Sequence, residues 1–133
     1  MAAADITYKW KPLRYNTYKS VTFQNEIFFN NEKIFFHTEN TYGFYSLLNV
    51  QVGKRWFVSG RYDFTEFTVS KKAKLRSGTA TLGWYATEFQ KIEVEAKYTS
   101  MNTALPISNY EKKFTSAGLR WIFVIGSHGA HKY

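Results

Sequence analysis

Residues 42–64 read YGFYSLLNVQVGKRWFVSGRYDF, and apolar side chains recur at alternate positions in both halves of this stretch. A period of two places successive side chains on opposite faces of a β-strand. When residues of the same face are paired, Val52 lies opposite Trp56 and Leu48 lies opposite Gly60. The stretch therefore predicts an antiparallel hairpin.

Five further segments show the same alternation, and no helical period of useful length competes with it. Together with the hairpin they predict an all-β chain of about seven to eight antiparallel, up-and-down strands. An eighth strand would lie near residues 34–37; without it, an odd number of strands cannot close with antiparallel pairing, and the barrel is incomplete. The five segments are residues 6–10, 21–29, 79–86, 92–99 and 115–125.

The connections between these segments form a second pattern. Short turns are predicted around residues 54–55 and 87–90, and longer polar connections around residues 31–41, 65–78 and 100–112. Short and long connections that alternate between strands of about 9–12 residues are typical of an outer-membrane barrel. Strands in soluble proteins are usually shorter, about 5–6 residues.

Composition narrows the classes of protein further. The chain has 133 residues, of which 20% are aromatic, and its net charge is +8. Its mean hydropathy is −0.40, and no apolar run is long enough for a membrane-spanning helix. The many aromatic residues argue against disorder, and the absence of cysteine excludes disulfides and thiolate metal sites. The excess of basic over acidic residues favours anionic partners such as lipid head groups.

The two faces of the predicted strands differ in charge. One face is apolar and suits lipid, whereas charged residues on lipid-facing positions near the bilayer centre cost roughly 2–4 kcal/mol each when basic. We therefore predict a transmembrane β-barrel whose charged face lines a pore or fills the barrel interior. This interior charge network is predicted to contain Arg61, Asp63, Glu93, Glu95, Lys97 and Arg120.

Large aromatic residues lie near the ends of the predicted strands. Aromatic side chains form girdles where a membrane barrel meets the lipid head groups. The aromatic residues predicted to lie at the membrane interface are Trp10, Trp56, Tyr62, Trp84 and Trp121.

Several segments resemble a family of bacterial outer-membrane proteins. The opening residues 5–14 resemble that family's D-L-T-Y-x-W-x-P-L-R motif, and residues 123–133 resemble its C-terminal F-x-x-G-x-H-x-A-H-x-F motif. Members are labelled porin-like proteins or zinc-regulated TonB-dependent outer membrane receptors. Because members are much longer, the resemblance implies that residues 1–133 are the C-terminal portion of a barrel domain. Further resemblances lie at residues 42–45, 55–56, 60–63 and 87–89.

The resemblance also implies a location and a route of assembly. The protein is expected in the outer membrane of a Gram-negative bacterium, surrounded by lipid and lipopolysaccharide. The C-terminal segment, with Phe123, Ile125 and Tyr133, is expected to be read by the barrel-assembly machinery. Missing N-terminal strands or self-association would cover the open edges of an incomplete barrel.

No catalytic constellation stands out, so we predict neither an enzyme nor a cofactor. His128 and His131 have HxxH spacing, which binds zinc only when further ligands converge. With no cysteine and one other histidine in the chain, we predict no metal site. The basic run Lys71-Lys72-Ala73-Lys74-Leu75-Arg76 is expected in a long outer loop, where it could pair with lipopolysaccharide phosphates.

Three functions follow from these observations. The first is a pore, or a transport or receptor barrel, for small solutes or ions, with no nucleic-acid partner. The second is a structural or adhesive barrel with a plugged interior and no conductance. The third is a soluble basic β-barrel that binds nucleic acid, which the net charge of +8 and the aromatic residues suggest.

Overall fold

The computed structural model describes residues 1–13, 19–34, 37–67, 70–105 and 108–123. These residues form one sheet of seven strands in chain order. Every neighbouring pair is antiparallel, so the chain runs up and down across the sheet. The strands are β1 (Ala2–Trp10), β2 (Ser20–Ile34), β3 (His37–Gln51), β4 (Trp56–Phe67), β5 (Ser70–Thr87), β6 (Gln90–Leu105) and β7 (Ser108–Phe123).

The all-β, antiparallel, up-and-down prediction is confirmed. The hairpin register is also as predicted, because Leu48 lies opposite Gly60 and the Val52 amide donates a 3.1 Å hydrogen bond to the Trp56 carbonyl. The alternation of apolar residues specifies this register, since a slip by one residue would move every side chain to the other face.

The sheet is not closed. Among the described residues, β1 pairs only with β2 and β7 pairs only with β6. The described residues contain no separate eighth strand near residues 34–37. Instead, Ile34 ends β2, His37 begins β3, and the two residues lie opposite each other.

The three long polar connections were predicted wrongly. The strands extend into these stretches, so that only two residues separate β2 from β3, β4 from β5 and β6 from β7. At these strand ends polar residues occupy both faces, and the alternation that marks a strand disappears although backbone pairing continues. The basic run at residues 71–76 consequently lies in β5 and not in a loop.

The sheet is a single layer with one apolar and one polar face. On the apolar face, central side chains remain exposed, as Val58 (45%), Leu82 (46%) and Val94 (54%) show. On the polar face, Phe57 and Glu93 are buried at 5% and 7%. No other described segment packs on either face, so this difference indicates that the sheet curves towards its polar face. In the described part of the chain, no helix is long and apolar enough to cross a membrane.

Candidate functional site

Three rows of residues cross all seven strands on the apolar face without a single charge. The strand registers place Tyr8, Phe23, Leu48, Gly60, Ala80, Ala96 and Ala117 side by side in the middle row. The row on one side contains Trp10, Val21, Val50, Val58, Leu82, Val94 and Leu119. The row on the other contains Ile6, Asn25, Ser46, Tyr62, Gly78, Tyr98 and Thr115. We call these rows the apolar belt.

Aromatic residues border the apolar belt on both sides. Trp56 lies opposite Trp84, with ring centroids 6.1 Å apart, and Trp121 continues their row across β6. On the other side, the Phe44 and Phe64 rings stack at 5.6 Å. Of the five aromatic residues predicted for the membrane interface, three therefore share one bordering row, whereas Trp10 and Tyr62 lie within the belt.

On the Phe44 and Phe64 side, charged residues begin in the bordering row itself. Arg76 lies opposite Phe64, and its guanidinium carbon is 5.8 Å from the centre of that ring. Lys113 occupies the same row on β7, where it contacts Glu111 at 3.1 Å. A hydrogen bond from Lys113 lowers the pKa of the Glu111 carboxyl, which lies outside the belt. On this side the belt is thus bounded by charge.

On the polar face, an aromatic ring occupies the space above a glycine at one end of the sheet. Gly83 is opposite Phe57, and a Cβ atom at Gly83 would meet the Phe57 ring at 1.8 Å. The Lys91 ammonium lies 4.4 Å from the centre of the same ring, which is within cation–π range. Only glycine at position 83 permits this close approach.

Glu93 joins this ring cluster to the predicted charge network. Its buried carboxylate pairs with Lys91 on its own strand and with Arg120 on β7, at 3.3 Å. Arg120 also contacts Glu95 at 3.6 Å. Because a buried carboxylate is costly without partners, these two cations account for the stable placement of Glu93.

A second ion pair lies further along the polar face. Arg61 binds Asp63 through two nitrogens, at 2.6 and 2.7 Å, and its guanidinium carbon lies 4.3 Å from the centre of the Tyr45 ring. Ser77 donates a 3.3 Å hydrogen bond to the other oxygen of Asp63. Gln24 donates to the Tyr45 hydroxyl at 2.8 Å. Arg61 is thus held in one orientation by an acid and an aromatic ring.

A depression of about 440 Å³ lies beside this second pair. Its charges are two cations, Arg61 and Lys97, and two anions, Asp63 and Glu95, so they balance. Lys97 makes no ion pair with any residue that the structure describes. The depression is completed by Thr65, Leu75, Ser77 and Thr79.

All six residues of the predicted interior network therefore lie on the polar face, in two groups. The structure pairs Glu93 with Arg120, which belongs to the predicted network, and with Lys91, which does not. The contribution of Lys91 could have been predicted from the sequence, because Lys91 lies two residues from Glu93 and therefore on the same face of the strand. The contribution of Phe57 follows only from the register between β4 and β5.

The remaining predicted sites fall on other parts of the chain. Ile125, Tyr133, His128 and His131 lie outside the described residues, and Phe123 ends β7. Within the described ranges, no three His, Cys, Asp or Glu side chains are grouped closely enough to hold a metal ion. The arrangement offers paired charges, hydroxyls and a polar depression, which suit the passage or binding of water and ions.

Comparisons of the chain with protein-family models, with curated proteins and with solved structures found no match.

Proposed function

We propose that the chain forms part of the wall of an outer-membrane β-barrel that passes small solutes or ions. The observation that carries this proposal is the exposed, uncharged apolar belt on one face of a sheet whose other face holds ion pairs. Monomeric soluble proteins rarely expose a contiguous apolar surface of this extent. In a membrane barrel the same division is required, because the outer face meets hydrocarbon.

The dimensions of the belt support the proposal. From Trp56 to Phe64, which spans the belt and both bordering rows, the chain advances eight residues, or roughly 26 Å at about 3.3 Å per residue. With a strand tilt of about 40°, this distance corresponds to a height of roughly 20 Å. The apolar band of outer-membrane barrels is about 25 Å tall, so the belt and its two bordering rows together are of the right order.

The polar face supports a pore more than a filled interior. Glu93, Lys91 and Arg120 form a compact group near one end of the sheet, but the depression at Lys97 stays open beside it. In this proposal Arg61, Asp63, Glu95 and Lys97 face the solute path and set its ion preference. The resemblance to porin-like and TonB-dependent receptor-labelled proteins remains a prediction that agrees with this role.

The open edges set a condition on the proposal. Unpaired backbone groups are very unfavourable in hydrocarbon, so both β1 and β7 must be covered when the sheet lies in a membrane. Additional strands or another chain would supply this cover, and the barrel-assembly machinery would insert the complete wall. Lipid and lipopolysaccharide would then contact the belt and the charged residues beyond it.

Fractionation and reconstitution test the location. We expect the protein to sediment with outer membranes, to require detergent for extraction and to migrate differently on gels before and after heating. Ala80→Arg, in the middle row of the belt, should reduce insertion into phospholipid vesicles, whereas Thr81→Arg, on the polar face, should not. A monodisperse, detergent-free monomer would contradict the proposal and would favour a soluble barrel.

Planar-bilayer recording tests the pore. A pore predicts discrete conductance steps, and Lys97→Glu should shift their ion preference towards cations. A plugged structural barrel predicts insertion without conductance. Salt-dependent binding of single-stranded DNA by the detergent-free protein would instead favour the nucleic-acid function.

A further inference from the structure

Two charged residues of the edge strand β1, Asp5 and Lys9, form no ion pair with any residue that the structure describes. Every residue of β1 is exposed. Asp5 lies directly opposite Glu26 on the polar face, and such like-charged pairs destabilise a sheet. Neither carboxylate forms an ion pair within the described part of the chain, and the same holds for Lys9. At the other edge, by contrast, Arg120 is already paired with Glu93 and Glu95.

The sequence of β1 complements itself in the antiparallel direction. If a second β1 pairs with Thr7 opposite Thr7, Asp5 of each strand lies opposite Lys9 of the other. On the apolar face the same register places Ile6 opposite Tyr8, and Ala4 opposite Trp10, which combines a small with a large side chain. In this register Lys9 of the second copy also lies near Glu26, so its positive charge offsets the repulsion between Asp5 and Glu26.

Neighbouring registers lack this match. A shift of one residue places polar side chains on the apolar face. A register centred on Ile6 places Asp5 opposite Thr7, so Asp5 gains no cation. A register centred on Asp5 places two aspartates opposite each other, and one centred on Lys9 does the same with two lysines. Within β1, only the register centred on Thr7 pairs both charges.

We propose that two copies of this chain associate through β1, in the antiparallel register centred on Thr7. The twofold axis is perpendicular to the sheet, so the apolar belt continues from one copy to the other. The same axis reverses the strand direction in the second copy. The pair therefore forms in detergent solution or in water, and not between two copies that are inserted into a membrane in the same orientation. This inference does not rest on the proposed function.

Charge variants of the full chain in detergent test the pairing. Asp5→Lys and Lys9→Asp should each weaken the dimer at least tenfold, because each brings like charges together twice. Mixing the two variants should restore a heterodimer, and the double variant Asp5→Lys/Lys9→Asp should restore the homodimer. Mass measurement by light scattering reads out each state, and circular dichroism confirms that each variant remains folded.

Cross-linking tests the register. The chain has no cysteine, so Thr7→Cys provides a single thiol that should cross-link two copies through a short bifunctional reagent. Ala3→Cys, on the same face, is the matched control, because its two thiols would lie roughly 26 Å apart. A monomeric native chain, single variants that dimerise like the native chain, or equal cross-linking of both cysteine variants would overturn the proposal. Vesicle insertion of Ala80→Arg is independent of these outcomes.

Discussion

The two faces of the sheet share one hydrogen-bonded backbone but differ in charge and in exposure. The apolar face holds three uncharged rows across all seven strands and stays exposed, with Leu119 at 75%. The polar face buries a carboxylate, Glu93, between two cations. Apart from Phe64, which is buried at the border of the apolar face, the most deeply buried residues lie on the charged side, which is the reverse of a soluble protein core.

The largest expected effect comes from placing a charge on the wrong face. Ala80→Arg should lower the free energy of unfolding in lipid by about 2–4 kcal/mol, because the guanidinium enters the middle of the belt. Thr81→Arg is the adjacent control; its side chain lies on the polar face opposite Glu95 and should be tolerated. Denaturant titration in vesicles measures both variants. Equal tolerance of the two would remove the distinction between the faces.

A smaller effect is expected from crowding the polar face. Gly83→Ala should destabilise the sheet by about 1–3 kcal/mol, since the added methyl group must displace the Phe57 ring. Gly118→Ala provides the control, because nothing lies within 4 Å of a Cβ atom there. Quenching or shift of the aromatic near-ultraviolet signal reports the ring displacement. A Gly83 variant as stable as the Gly118 variant would contradict the close packing.

The smallest effect is expected from the charge network. Glu93→Gln should lower stability by about 1–2 kcal/mol, because Lys91 and Arg120 lose their shared carboxylate but can turn towards water. Glu95→Gln should cost less, since this side chain is more exposed and its contact with Arg120 is longer, at 3.6 Å. Thermal unfolding in detergent compares the two. A larger loss at Glu95 would mean that the network is centred elsewhere.

Much of the fold could be predicted because the belt alternates clearly. Leu48 and Gly60 were paired correctly from their faces alone. The strand ends escaped prediction because, in stretches such as residues 30–33, polar residues occupy both faces while the backbone pairing of the strand continues. Alternation detects a difference between faces, and so it fails where both faces are alike.

The site was predicted less completely than the fold. The period of two places Arg61, Asp63 and Arg120 on one face, but it does not determine which charges touch. Arg120 reaches Glu93 because β6 and β7 pair in a particular register, which both strands determine together. The position of the Phe57 ring over Gly83 depends on ring orientation as well, and no sequence pattern encodes it.

Single labels along β7 test the central claim most directly, namely that the apolar face meets lipid. Cysteine substitutions at each position from Thr115 to Phe123, made in this cysteine-free chain, carry a spin label into phospholipid vesicles. Accessibility to lipid-soluble oxygen and to a water-soluble relaxing agent should alternate, with the odd positions in lipid and the even positions, including Arg120, in a polar environment. Uniform water accessibility of the odd positions would contradict the claim.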